Sequence, residues 1–167
     1  NVANEVARLN GVYRNLLVNA GVQLITGEGR IAGPHTVIVD TQTLTAERIL
    51  IAVGGTPFKP AIPGAELAIT SNEFFSLSER PSSAVVIGGG YIAIELAGVL
   101  HGLGTTTTLL HRGDRLLKHF DQDVSGFLQQ EIEKQGLALA LKESVSAIEQ
   151  VPDGLQVRCQ SGSTIMT

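Results

Sequence analysis

The chain carries a single cysteine, Cys159, among 167 residues. One thiol excludes an internal disulfide, a dithiol pair and a cysteine-rich metal centre, and it fits a reducing, cytoplasmic compartment. An excess of positive charge is also missing: 12 basic against 16 acidic side chains give a formal net charge of −4. That argues against nucleic acid or an anionic membrane as partner, since both need a basic surface. No apolar run reaches the roughly 18 residues of a membrane span. The N-terminal NVANEVARLN is polar and lacks the apolar core of a signal peptide. His35, His101, His111 and His119 have no metal-ligand spacing. Internal repeats and low-complexity runs are absent too. What the chain does have is 43% hydrophobic residues, enough to bury a core.

Along the chain, Val2, Val6, Leu9, Val12, Tyr13, Leu16 and Leu17 recur at helical spacing, and Gly21 stops the run. VQLITG reads as a buried strand. HTVIVD and ERILIAVGG read as two more, separated by a polar turn. GGTPFKPAIPGAE, rich in proline and glycine, marks a boundary, and TSNEFFSLSERPSS a short helix and turn. From Ser83 strand and helix alternate. AVVIG is a strand, Tyr91 to Leu103 a helix, Thr105 to Leu110 a strand, Asp121 to Gln135 a helix and LALAL a strand. SVSAIEQ, GLQVRCQ and STIMT then read as antiparallel strands joined by turns such as PDG. The expected class is α/β: a Rossmann-like βαβ domain with a β-meander over 84–167, a linker over 61–83, and an incomplete neighbouring domain over 1–60. The chain opens without Met inside a helix and stops in a strand, so it is expected to be a piece of a longer protein.

Gly88, Gly89, Gly90, Tyr91, Ile92 and Ala93 spell G-x-G-x-x-A between a strand and a helix. Gly88 permits the tight turn, Gly90 lets the backbone approach a pyrophosphate, and Ala93 keeps the helix close to the sheet. The helix start then offers free N–H groups and a positive dipole end. The alternative is a tight strand-to-helix turn with no ligand. An NAD-type fold closes its second strand with an acid that accepts from the ribose hydroxyls. Here Leu110, His111 and Arg112 stand there, with Arg115 and Lys118 following and Asp114 diluting the charge. A 2′-phosphate repels a carboxylate and favours a guanidinium, so these residues point to NADP; the alternative is a solvated basic loop.

Together, GGGYIAIELAGVLHGLG and HRGDRLLKHFD resemble the NADPH-binding domain of the flavin-dependent pyridine nucleotide–disulfide oxidoreductase family, in its glutathione reductase branch. ERILIAVGGTPFKPAIPG is similar to that family's FAD-domain segment ATGG-x-P-x-x-P-x-IPG, and ITSNEFFSL to the ITSD-x-x-F-x-L that follows it. RLNGVYRNLL and GVQLITGEGRI are also similar to the FAD domain. The resemblance implies that Tyr91 is an aromatic gate over the flavin and that Glu95, read as lying in the first helical turn, sits by the nicotinamide. Ile92 belongs to the same turn. Arg112 and Lys118 hold the 2′-phosphate, Lys118 standing where a second arginine is usual. Ala52, Val53 and Gly54 lie against FAD, Val53 replacing the usual threonine. Glu28 and Gly29 approach the FAD adenosine through their backbone.

Tyr91 alternatively packs at a helix start, and Glu95 alternatively serves the helix dipole. The family's C-x-x-x-x-C pair, first FAD glycine motif and His-Glu pair are not in this stretch, and Cys159 on an alternating strand reads as a structural thiol. The resemblance implies hydride transfer from NADPH to FAD and on to a dithiol that reduces glutathione disulfide, in a homodimer. Two alternatives stay open: a related reductase with another substrate, and a nucleotide-binding module without turnover.

Overall fold

The computed structural model describes residues 2–167, which divide into two compact units, 2–56 and Pro57–Thr167. The first unit begins with helix α1 (Val2–Asn19), as its apolar spacing predicts. No residue of α1 is buried, so its apolar stripe is exposed. An antiparallel three-stranded sheet follows: β1 (Gly29–Gly33), β2 (Thr36–Val39) and β3 (Gln42–Thr45), in that order. Register runs Gly29 to Val39 and Val39 to Gln42. Val39 is the buried residue of this sheet.

Two strand expectations in this unit are corrected. Residues 22–26 and 46–55 form no strand, and Leu50 and Val53 are each 89% exposed. A strand exists by its ladder of hydrogen bonds, and apolar side chains alone do not supply a partner. The stretch read as a polar turn instead holds β3, because QTLT alternates and its threonines suit a pleated backbone. The turn itself is Asp40–Thr41, where Asp40 takes a left-handed φ of 51°.

The second unit follows the sequence reading closely. β4 (Ser83–Ile87), α3 (Tyr91–Gly102), β5 (Thr106–His111), α4 (Gln122–Lys134) and β6 (Ala138–Leu141) build a parallel sheet in the order β4-β5-β6. Asp121 caps α4, its carboxylate accepting from the N–H groups of Asp123 and Val124 at 2.9 and 3.3 Å. The meander is β7 (Val145–Val151), β8 (Gly154–Cys159) and β9 (Thr164–Met166).

Period-two alternation sends neighbouring residues of each parallel strand to opposite layers. Val86, Leu109, Leu139 and Leu141 face Ala93, Ile94 and Ala97 of α3 and Ile132 of α4. Val85, Leu110 and Ala140 face Val145, Ile148, Val157 and Cys159 of the meander. Both faces are covered, so both alternating sets of side chains in these strands are apolar at their centres, as in Val85–Val86 and Leu109–Leu110. Residues 61–83, expected as a linker, are docked on this unit: Ile62, Leu67 and Ala68 join the meander side of the core. The Ile148 N–H donates to the Pro63 carbonyl at 2.9 Å, which adds this segment to the edge of β7. A short α2 (Ser71–Phe74) follows it.

Candidate nucleotide site

The site lies at the carboxyl ends of β4 and β5, where open parallel sheets bind ligands. β4 leads into the glycine turn, and Gly88 has φ 152°. A Cβ on Gly88 would stand 2.9 Å from the Ala93 Cβ, so glycine and alanine together let α3 start this close to the strand. The Gly88 N–H donates to the Leu110 carbonyl at 2.9 Å, which extends the β4–β5 ladder into the turn. Gly90 precedes α3 with φ −89° and no side chain caps the helix. Nothing lies within 4 Å of where a Gly90 Cβ would be. The open space at Gly90 and the uncapped N–H groups fit a pyrophosphate, which needs close backbone approach and donors.

Tyr91 is the first residue of α3 and is 60% exposed; Ile92, next to it, is 47% exposed. Ala93 is half-buried against the sheet. Glu95 is exposed and lies one turn further in than the sequence reading had it, past the first turn of α3. The first-turn dipole role considered for it therefore does not apply. Tyr91 and Glu95 are four residues apart on one face of the helix.

The loop after β5 is braced to the turn. The Leu117 N–H donates to the Gly89 carbonyl at 2.8 Å. The Arg115 guanidinium donates to the Lys118 carbonyl at 2.9 Å, so Arg115 holds the loop's shape. Leu116 is fully buried, and its N–H donates to the Gln129 side chain of α4 at 3.0 Å. Arg112 and Lys118 are exposed, and neither enters an ion pair among the described residues. Both cations thus belong to the loop that the Leu117–Gly89 hydrogen bond ties to the glycine turn.

His111, which the sequence reading placed at the strand end but gave no role, is central to this geometry. A Cβ on Gly89 would meet Cδ2, Cε1 and Nε2 of its ring, each at 2.5 Å, and one on Gly113 would meet Nε2 at 2.6 Å. The imidazole fills the space between the two glycines. Burial, then the Arg112 charge, hold its pKa below the ordinary imidazole value, with Asp114 opposing. The Gly89 and Gly113 pair, spaced around a strand-end aromatic, was the signal available in sequence.

In the first unit, Gly29 opens β1 opposite Val39. Ala52, Val53 and Gly54 are exposed on unpaired backbone, with Gly54 at φ 71°. Among the described residues there is no cluster of side chains able to hold a metal, and no helix is long and apolar enough to cross a membrane.

The whole chain, residues 1–167, matches the family model described as pyridine nucleotide-disulphide oxidoreductase. The chain belongs to this family. It is 45% identical over 156 residues to the glutathione reductase of Nostoc sp. (strain PCC 7120), a match covering 93% of this chain and 34% of that protein. The glutathione reductase of Burkholderia cepacia is 42% identical, covering 96% and 36% respectively. The chloroplastic/mitochondrial glutathione reductase of Pisum sativum is 40% identical, covering 95% and 29%. The chain therefore spans about a third of these relatives' length. Among solved structures, the Cu(II) complex of the HOCl-induced flavoprotein disulfide reductase RclA from Escherichia coli superposes with a TM-score of 0.81 at 25% identity, over 98% of this chain and 38% of that one. The shared α/β fold and the family are thereby fixed together.

Proposed function

We propose that this member of the family forms the NADPH-binding part, and a portion of the FAD-facing part, of a disulfide reductase that acts on glutathione disulfide. One observation carries the reading: β5 ends at the glycine turn with His111 and Arg112 where an NAD-type fold has an acid. The relatives named glutathione reductase support the substrate. The complete protein would work as a homodimer in a reducing, cytoplasmic compartment.

When bound, NADPH and FAD supply the hydride chemistry. The chain's own groups bind and orient. The N–H groups at the start of α3 take the pyrophosphate, with Gly88 and Gly90 keeping side chains out of its way. Arg112 takes the 2′-phosphate by paired hydrogen bonds, and Lys118 adds a point charge. Tyr91, exposed at the head of α3, would gate access to the flavin, and Glu95 on the same helix face would lie by the nicotinamide. Gly29, Ala52, Val53 and Gly54 would lie against FAD. Cys159 takes no part as a nucleophile: it is 4% exposed and packed in the meander core.

An Arg112→Ala variant is expected to bind NADPH about 10- to 100-fold more weakly, the loss of a charge-assisted hydrogen-bonded pair worth about 1.5–3 kcal/mol, with NADH binding within about twofold. Calorimetric titration reads both. Equal losses for both nucleotides would mean that Arg112 supports the turn and does not select the phosphate. The substrate is tested separately, by turnover of NADPH and glutathione disulfide with the full-length protein; activity only toward another disulfide would move the reading to a related reductase.

A further inference from the structure

We infer that His111 is a specificity-determining member of this nucleotide site, whose imidazole, wedged between Gly89 and Gly113, takes up a proton from solvent when a 2′-phosphate binds. The inference rests on the 2′-phosphate reading above and adds to it a residue and a proton.

The geometry carries it. In a dinucleotide fold the side chain that decides between a free 2′-hydroxyl and a 2′-phosphate stands about 20 residues after the glycine turn, near the end of the second strand. In this chain the side chain that reaches the turn is His111, last residue of β5, whose ring atoms come within 2.5 Å of the Cβ position on Gly89. A wider residue than glycine at either 89 or 113 would evict the ring. The backbone around it is fixed on both sides: the His111 carbonyl accepts from the Glu143 N–H at 3.1 Å, and the Gly113 carbonyl accepts from the Lys142 N–H at 2.9 Å. Arg112 lies between these two tethered carbonyls, and its charge acts on the ring.

The charges facing the ring set its protonation. Arg112 and Asp114 flank it, Arg115 and Lys118 lie further along the same loop, and Lys142 and Glu143 stand at the β6–β7 corner. Glu143 is engaged elsewhere, accepting from the Ser161 hydroxyl at 2.6 Å. The glycine turn contributes no charged side chain. Half-burial and Arg112 keep the free imidazole neutral near pH 7, its pKa being below the ordinary value. A phosphate dianion beside it reverses that balance by favouring the cation. The sign follows. Affinity for a 2′-phosphorylated nucleotide rises as pH falls through the raised pKa of the complex, and levels off below the depressed pKa of the free chain. An unphosphorylated nucleotide gains nothing.

The test uses this chain, with 2′,5′-ADP as probe and 5′-AMP as its control. The His111 ring protons are followed by NMR across pH, assigned through their contacts with the Gly89 and Gly113 α-protons and by their disappearance in His111→Asn. The expected result is a His111 pKa raised by about one unit or more with 2′,5′-ADP and unmoved by 5′-AMP. A shift of one unit allows at most about a tenfold change in affinity, and because the free pKa lies below the ordinary value, up to about fivefold of it falls between about pH 8.5 and about pH 6.5, above the phosphate's own second pKa of about 6, where the NADPH-to-NADH affinity ratio should grow. In His111→Asn that growth should vanish while NADPH still binds. If 2′,5′-ADP binds and the His111 titration does not move, the inference fails and the Arg112 reading stands. If 2′,5′-ADP binds no better than 5′-AMP at any pH, the 2′-phosphate reading fails and this inference with it. The wild-type titration reports even if the variant does not fold.

Discussion

A Gly88→Val variant is expected to lose NADPH and NADH together, each by about 100-fold or more, corresponding to about 3 kcal/mol. Two causes act at one position. Gly88 has φ 152°, a conformation that costs a side-chain-bearing residue on the order of 1–3 kcal/mol. Its added Cβ would also stand 2.9 Å from the Ala93 Cβ, so a branched side chain must push α3 away from β4. That moves the uncapped N–H groups from the pyrophosphate position, a part both nucleotides share. Arg112→Ala should spare NADH, so the two variants separate the common pyrophosphate site from the selective phosphate site. Calorimetry on both nucleotides, with circular dichroism to confirm retained helix, checks it. Undiminished binding in Gly88→Val would show that the turn does not form the pyrophosphate site.

The second large effect is on stability, and lies away from the site. Gly64 has φ 78°, and a Cβ there would lie 1.8 Å from the Ile148 carbonyl oxygen and 2.7 Å from its carbon. The obstacle is β7 backbone, which cannot rotate aside as a side chain can. The adjoining Pro63 carbonyl accepts from the Ile148 N–H at 2.9 Å, so the two chains cannot separate without breaking that bond. Gly64→Ala is therefore expected to cost about 3 kcal/mol or more and to lower Tm by roughly 10 °C. Gly162 serves as control: it also has a positive φ, 91°, but open space around it. Gly162→Ala should cost only about 1 kcal/mol, from backbone strain alone. Thermal and urea unfolding of both variants measure the difference. Equal losses would mean that the 57–68 segment is not firmly seated on the meander.

The same contact explains how much of the fold could be read in advance. From β4 onward local pattern and tertiary structure agree. Leu109 and Leu110 face opposite layers, Gly88 to Ala93 spell their turn, and Asp121 announces α4. In GGTPFKPAIPGAE composition marks a boundary, and the two units divide inside it, between Thr56 and Pro57; what composition hid is that the residues after the division are docked, Ile62 and Leu67 being core residues. Proline and glycine report backbone shape, and a docked segment and a free linker can share that shape. In the first unit the apolar runs VQLIT and ILIAV suggested strands, but strand formation depends on a partner that periodicity does not reveal. β3 was missed for the opposite reason, being mostly polar and only four residues long.

The site was legible in part. The glycine turn, Arg112 and Lys118 follow from residue type and spacing. That Arg115 is spent on the Lys118 carbonyl, and so differs from its two cationic neighbours, needed the loop's conformation. The position of Glu95 past the first turn of α3 was countable in sequence, since the helix starts at Tyr91 in both the sequence reading and the structure. His111 needed a contact between residues 22 positions apart in sequence, its ring and Gly89. A strand end returns to the preceding turn only through the parallel register of β4 and β5, in which Ile87 lies beside Leu110.

The central claim is that the end of β5 selects a 2′-phosphate. The most direct measurement is calorimetric titration of the unmodified chain with NADPH and with NADH at the same low salt, where a charge-based preference is least screened. The account predicts that NADPH binds at least about tenfold more tightly, the value of one charge-assisted contact. Equal affinities, or tighter NADH, would contradict it, leaving the α/β fold and the family intact and the basic strand end as solvated surface.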